Sequence, residues 1–186
     1  MPALSEKKRY TYKEYAALPE GSPYQLIEGE LIMTPSPAPY HQMISLRLAT
    51  ALANHVSLNK AGLVFTAPID VYLDDEDTYQ PDIIVILKER TRIVGEKRIE
   101  GAPDVVVEIL SPSTAYYDLR KKFYQYEKHG VKEYWIVDPE LKTVDIYENK
   151  GGKFVQAQSV GSEGKCTSGV VAGFQIDAHA LFDQSL

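Results

Sequence analysis

Two short runs, Ile83-Ile84-Val85-Ile86 and Val105-Val106-Val107, limit this chain more than any other feature. Uninterrupted β-branched stretches of this length read as central strands covered on both faces, which require helices or further layers on either side. The expected fold is therefore α/β, with a central mixed β-sheet flanked by helices. Each run nevertheless carries a carboxylate: Asp82 in Gln80-Pro81-Asp82-Ile83, and Glu108 in Val105-Val106-Val107-Glu108-Ile109-Leu110. Removing an ionised carboxylate from water costs several kcal/mol unless a partner or a metal takes up the charge. A cation site is the simplest explanation for two of them.

Strand alternation puts Asp104, Val106, Glu108 and Leu110 on one face and Val105, Val107 and Ile109 on the other. If the strand of Asp82 is a neighbour, the two carboxylates come within reach of one ion. Mg²⁺, or Mn²⁺, suits such a site, because it takes hard oxygen ligands and keeps several waters. Zinc does not suit it: the chain has four histidines and one cysteine, with no ligand-spaced cluster.

The remaining chain builds around these strands. Thr11 can cap a short helix through Leu18, and a hairpin of 24–27 and 30–33 turns at Glu28-Gly29. A stiff Pro35-Ser36-Pro37-Ala38-Pro39 connector leads to a helix over 40–57, with Met43, Ile44, Leu46, Leu48, Ala51, Leu52 and Val56 fitting helical spacing better than alternation. From Leu63 to Leu73 the period becomes two, which predicts a single strand, and Asp74-Asp75-Glu76-Asp77 reads as a solvated turn. Ser111-Pro112-Ser113-Thr114 offers caps for a helix over 115–129, closed by Gly130. Strands over 133–137 and 143–148, an edge strand over 153–159 and a short helix capped by Asp177 complete the chain. Nothing indicates a repeat or a second domain, so 1–186 reads as one domain.

The helix after Glu108 supplies a third polar group. At ~100° per residue Ala115, Leu119, Lys122, Phe123 and Tyr126 share a side, so Lys122 is aimed inward, whereas Arg120 and Lys121 are not. Its ammonium could orient a water and stabilise charge on a phosphorane-like transition state. The competing reading is a surface ion pair with Asp118, worth ~0.3–0.5 kcal/mol when exposed. Tyr126 reads as core packing, and Trp135 as core or dimer interface. Cys166 reads as a small buried side chain, not a nucleophile.

The net charge of −6 argues against a broad nucleic-acid footprint, although basic residues gather at 88–98 and at 120–132. Solvated faces are the default reading of both. No run approaches a membrane span, and the charged amino terminus lacks a signal-peptide core, so the chain reads as soluble and cytoplasmic.

Taken in order, Tyr24-Gln25-Leu26-Ile27-Glu28-Gly29-Glu30-Leu31, Gln80-Pro81-Asp82, Gly101 through Thr114, Asp118 through Lys122 and Gly130 through Pro139 resemble the restriction-endonuclease branch called Uma-two, within the PD-(D/E)XK nuclease superfamily. The resemblance covers nearly the whole chain. It implies a restriction-endonuclease-like core with an N-terminal hairpin, and Mg²⁺-dependent hydrolysis of DNA phosphodiesters. On it, Asp82 and Glu108 match the motif acids, the carbonyl of Ile109 is a further metal ligand, and Glu30 matches the acidic position of the hairpin. Glu30 also reads as an ordinary solvent-facing hairpin residue. Leu110 stands where the superfamily's lysine usually does, and Lys122 resembles a migrated replacement. Gln25 stands where the branch commonly has glutamate. His41 resembles a recurrent histidine, read as a cap or phosphate contact. A homodimer is a further implication.

Three functions are consistent with these residues. The first is a metal-dependent endonuclease in which Asp82, Glu108, Lys122 and Glu30 form the site. The second is a catalytically inactive nuclease-like module that binds nucleic acid or protein. The third is a hydrolase of small phosphate esters.

Overall fold

The computed structural model describes residues 8–185; residues 1–7, most of the charged amino terminus, lie outside them. The first helix, α1 (Tyr12–Tyr15), is shorter than its pattern suggested. Past Tyr15 the chain continues as a turn, the Leu18 N–H bonding the Tyr15 carbonyl at 3.0 Å, and Pro19 disfavours helical backbone at Leu18. Strands β1 (Tyr24–Ile27) and β2 (Glu30–Met33) form the expected hairpin, with Ile27 opposite Glu30. Its turn residues Glu28 and Gly29 have φ of 49° and 74°, the left-handed pair that a two-residue hairpin turn requires. Helix α2 (Pro39–Leu58) starts on a proline at its first position and buries Ile44, Leu48, Leu52 and Val56 along one stripe.

The single strand expected over 63–73 is instead two, β3 (Gly62–Thr66) and β4 (Val71–Asp74), which belong to different sheets. Pro68 has no N–H to give a ladder, and the pairing passes there from one sheet to the other. After the turn, β5 (Asp77–Tyr79) begins on an acid read as solvated. Asp77 is in fact buried, and its Oδ1 accepts hydrogen bonds from the Glu28 amide and the Tyr79 hydroxyl. The strands β6 (Ile83–Leu87) and β8 (Val105–Ile109) follow the apolar runs, with a 3-10 turn (Lys88–Ile93) and the two-residue β7 (Ile99–Glu100) between them.

Beyond β8 come a π-helical turn (Tyr117–Lys122), α3 (Phe123–His129), β9 (Glu133–Asp138), β10 (Thr143–Asn149) and the edge strand β11 (Phe154–Val160). Gly130, at φ 84°, ends α3. A small ribbon of β12 (Lys165–Thr167) and β13 (Gln175–Asp177) leads into α4 (Ala178–Phe182).

The central sheet has the order β11-β10-β9-β8-β6-β3, parallel only between β8 and β9. A second sheet, β2-β1-β5-β4-β7, extends the hairpin. On one face of the central sheet Ile83, Val85, Val105, Val107 and Ile109 pack with α2 and α4. On the other, Ile84, Ile86 and Val106 pack with Tyr126, Tyr134 and the second sheet's Ile27, Val71 and Tyr79. Trp135 is 1% exposed in the first core and donates its indole N–H to Glu133 Oε1 at 2.7 Å. It is core, and β9 around it offers no apolar surface to a second copy. Cys166 is fully buried, and burial pushes its thiol up to about 11. No helix among the described residues is long and apolar enough to cross a membrane.

Candidate metal-dependent active site

Strands β6 and β8 are antiparallel neighbours with Ile83 opposite Val107. One residue further along, Asp82 stands opposite Glu108, on the face that also carries Ile84 and Val106. Asp82 keeps a partly open carboxylate, 19% exposed, whose Oδ2 accepts the Ile109 amide at 2.7 Å and lies 3.3 Å from His41 Nε2. Glu108 is 4% exposed. Its Oε1 accepts hydrogen bonds from Lys122 Nζ at 2.9 Å and from the Tyr126 hydroxyl at 2.8 Å. Burial pushes the Glu108 carboxyl up to about 8; Lys122 opposes that shift, while Asp118 and Asp82 add to it.

Lys122 reaches Glu108 because of how its helix begins. The π-helical turn closes wider than an α-helix, so each residue advances less than the usual ~100°. Leu119, expected on the inner side, is consequently 44% exposed, and Asp118 is buried in its place. Tyr134 supports the turn by donating its hydroxyl to the Asp118 carbonyl at 3.0 Å. Lys122 Nζ then lies 2.9 Å from Asp118 Oδ1 as well as from Glu108, and all three side chains are buried. Lys122 makes both contacts, and its ion pair with Asp118 is buried, not at the surface. Burial would lower the ammonium's pKa, but Asp118 and Glu108 together hold it above its usual value.

The oxygens left over are of the hard kind that a divalent ion takes. Each carboxylate gives one oxygen to protein donors, Oδ2 of Asp82 and Oε1 of Glu108, and among the described contacts none engages Oδ1 or Oε2. No three His, Cys, Asp or Glu side chains among the described residues cluster as an all-protein cage. Two carboxylates with retained water are nonetheless what Mg²⁺ commonly accepts. The third expected ligand, the Ile109 carbonyl, lies 3.0 Å from His41 Nε2.

The sequence favours a cap or phosphate contact for His41 over general-base work. The N-cap of α2 is Ala38, and His41 turns inward, its Nε2 against both Asp82 and Ile109, while its buried Nδ1 has no partner among the described residues. Burial would depress the imidazole, yet Asp82 and the Ile109 carbonyl raise its pKa overall. Tyr126 is core, as its pattern suggested, with the added hydroxyl contact to Glu108. Glu30 lines a polar cleft of about 480 Å³ together with Glu28, Asp77, Lys121 and Gln125, and its charge acts on Lys121. Gln25 is buried and uses both ends of its amide, donating to Thr34 Oγ1 at 3.1 Å and accepting the Gln80 amide at 2.9 Å. A carboxylate there would have to accept from the Thr34 hydroxyl instead of donating to it.

The two basic segments meet. Arg90 from one and Lys132 from the other converge on the buried Asp104, at 3.3 and 2.7 Å. Lys121 pairs with Glu28 at 3.0 Å, which takes up more of the positive charge. Sequence reasoning undervalued Asp118, although its signal, an acid four residues before an inward lysine, was present.

An α/β core with this sheet order, an N-terminal hairpin and paired acids on adjacent strands defines a restriction-endonuclease-like protein. Its fold matches the crystal structure of a "putative nuclease belonging to DUF820" from Anabaena variabilis ATCC 29413, with a TM-score of 0.77 and 24% identity over 92% of this chain and 97% of that one. Residues 12–179 match the Uma2 family, described as "Putative restriction endonuclease", and the chain belongs to that family. Two uncharacterized proteins of Synechocystis sp. (strain ATCC 27184 / PCC 6803 / Kazusa) are also similar. One, sll1609, is 23% identical over 69% of this chain and 73% of its own length. The other, slr1290, is 25% identical over 78% of this chain and 74% of its own length.

Proposed function

We propose that this chain is a DNA endonuclease that requires Mg²⁺ or Mn²⁺, with Asp82 and Glu108 holding the ion. The observation that carries the reading is the pair of cross-strand carboxylates, each with one oxygen committed to protein donors and the other uncommitted. When bound, the ion would lower the pKa of a coordinated water and polarise a phosphoryl oxygen. Asp82 is aimed by the Ile109 amide and Glu108 by Lys122 and Tyr126, so neither carboxylate needs to reorganise to meet it. Lys122 stays protonated and cannot serve as a general base. Its ammonium donates to Glu108 and lies 2.9 Å from Asp118 Oδ1 as an ion pair, and it keeps a further N–H to orient a water.

The test is incubation of pure protein with supercoiled, linear and single-stranded DNA, with and without Mg²⁺ or Mn²⁺, beside Glu108→Ala. Metal-dependent cleavage that the variant lacks is the expected result. Cleavage retained by Glu108→Ala would overturn the assignment of Glu108. Metal-independent DNA binding without cleavage would favour the inactive module, and turnover of nucleotides but not DNA would favour the small phosphate-ester hydrolase.

A further inference from the structure

The site holds more negative charge than an ion pair needs. Lys122 Nζ stands 2.9 Å from Glu108 Oε1 and 2.9 Å from Asp118 Oδ1, while Asp82 faces Glu108 across the strands. Asp118, Lys122 and Glu108 are 2%, 3% and 4% exposed, so bulk water screens little of this charge. A purely structural device would set one acid against one base. A second buried carboxylate on the same lysine adds a desolvation cost with no second cation to offset it.

We propose that Asp118 is a positioning residue that sets the charge of the cation site, an inference that rests on the reading of Asp82 and Glu108 given above. Asp118 shares the ammonium of Lys122 and so prevents it from neutralising Glu108 alone. Glu108, Asp118 and, across the strands, Asp82 then surround one ammonium and the His41 imidazole with three acidic groups, a balance that favours a divalent ion. The π-helical turn makes this possible, because it swings Asp118 inward in place of Leu119. With Asp118 neutral, Lys122 would belong wholly to Glu108, and the remaining surplus would suit a divalent ion less well. His41 also faces Asp82 and is common to every variant compared below.

The test is calorimetric titration of the full chain with Mn²⁺ alone, at fixed pH and ionic strength, for the wild type, Asp118→Asn, Asp118→Glu and Lys122→Gln. Asp118→Asn should weaken Mn²⁺ binding by at least about tenfold, and Asp118→Glu should recover part of the loss. Lys122→Gln, by removing positive charge, should tighten binding even though cleavage is lost. Opposite signs for Asp118→Asn and Lys122→Gln distinguish charge setting from disorder, since a disrupted site would weaken with both. Thermal melting checks that each variant folds; if Asp118→Asn does not, Asp118→Ala replaces it, and the opposite shifts of Asp118→Ala and Lys122→Gln carry the test. Equal affinity in the wild type and Asp118→Asn, or weakening in both Asp118→Asn and Lys122→Gln, overturns the proposal. If the wild type binds no Mn²⁺, the cation reading itself fails; binding abolished by Glu108→Ala but untouched by Asp118→Asn sinks this inference alone.

Discussion

Oδ2 of Asp82 accepts the amide hydrogen of Ile109 at 2.7 Å, so the acid of one central strand is aimed by the backbone of its neighbour, one residue past Glu108. An asparagine could keep this contact through its carbonyl oxygen while losing the charge. Asp82→Asn should therefore leave the melting temperature within a few degrees of wild type and reduce metal-dependent cleavage at least ~100-fold, more than outer-shell changes usually cost. Calorimetry and a plasmid-nicking assay on the same preparation check both halves.

The pH behaviour of Glu108 follows from its burial. A carboxyl raised from 4.5 to about 8 contributes stability that is fully present below its unfolded value and is lost as pH rises through the folded one. Glu108→Gln cannot ionise and escapes that loss. Without metal, its melting temperature relative to wild type should rise between pH 5 and pH 9, by on the order of 1–3 kcal/mol, or several degrees. A difference that stays flat with pH, or shrinks, would contradict a raised carboxyl.

Asp104 behaves in the opposite sense. Burial alone would raise its carboxyl, but Lys132, the Leu87 amide and Arg90 hold it below the ordinary 3.8. A lowered acid contributes stability above its unfolded value and loses it as pH falls through the folded one. Asp104→Asn should cost roughly 1–3 kcal/mol at pH 7, with the gap narrowing below about pH 4, as read from urea unfolding at each pH.

Gly62 opens β3 where the chain passes close to β6. A Cβ there would stand 2.1 Å from the Ile86 carbonyl oxygen and 2.9 Å from the Leu87 Cα, both backbone atoms with nowhere to move. Gly62→Ala should destabilise the fold by on the order of 2–4 kcal/mol without touching the site. A wild-type melting curve for this variant would show that the two strands can separate at that point.

Much of the site could be read from single residues. A carboxylate inside Ile-Ile-Val-Ile or Val-Val-Val is conspicuous because a strand alternates and an apolar strand is covered, so its presence, its face and its need for a partner are local facts. Glu28-Gly29 was legible for the same reason: a two-residue turn with left-handed backbone leaves few choices of residue. Leu119 was not. Its placement assumed an α-helical advance per residue, and the wider π-turn reversed the order of Leu119 and Asp118. The strand over 63–73 failed similarly: its two-residue period continues through Ala67-Pro68, although the pairing changes sheet there.

The amino-acid order thus determined which groups are costly to bury, where the chain turns and which residues share a strand face, because these follow from covalent geometry and from transfer out of water. The packed structure alone decided that Asp118 faces inward, that His41 meets Asp82, that Arg90 and Lys132 share Asp104, and that Trp135 is core. Each of these depends on contact between segments distant in sequence or on the pitch of a helical turn. Such contacts are settled by the whole core packing at once, and a local pattern at most hints at them, as the acid four residues before Lys122 does.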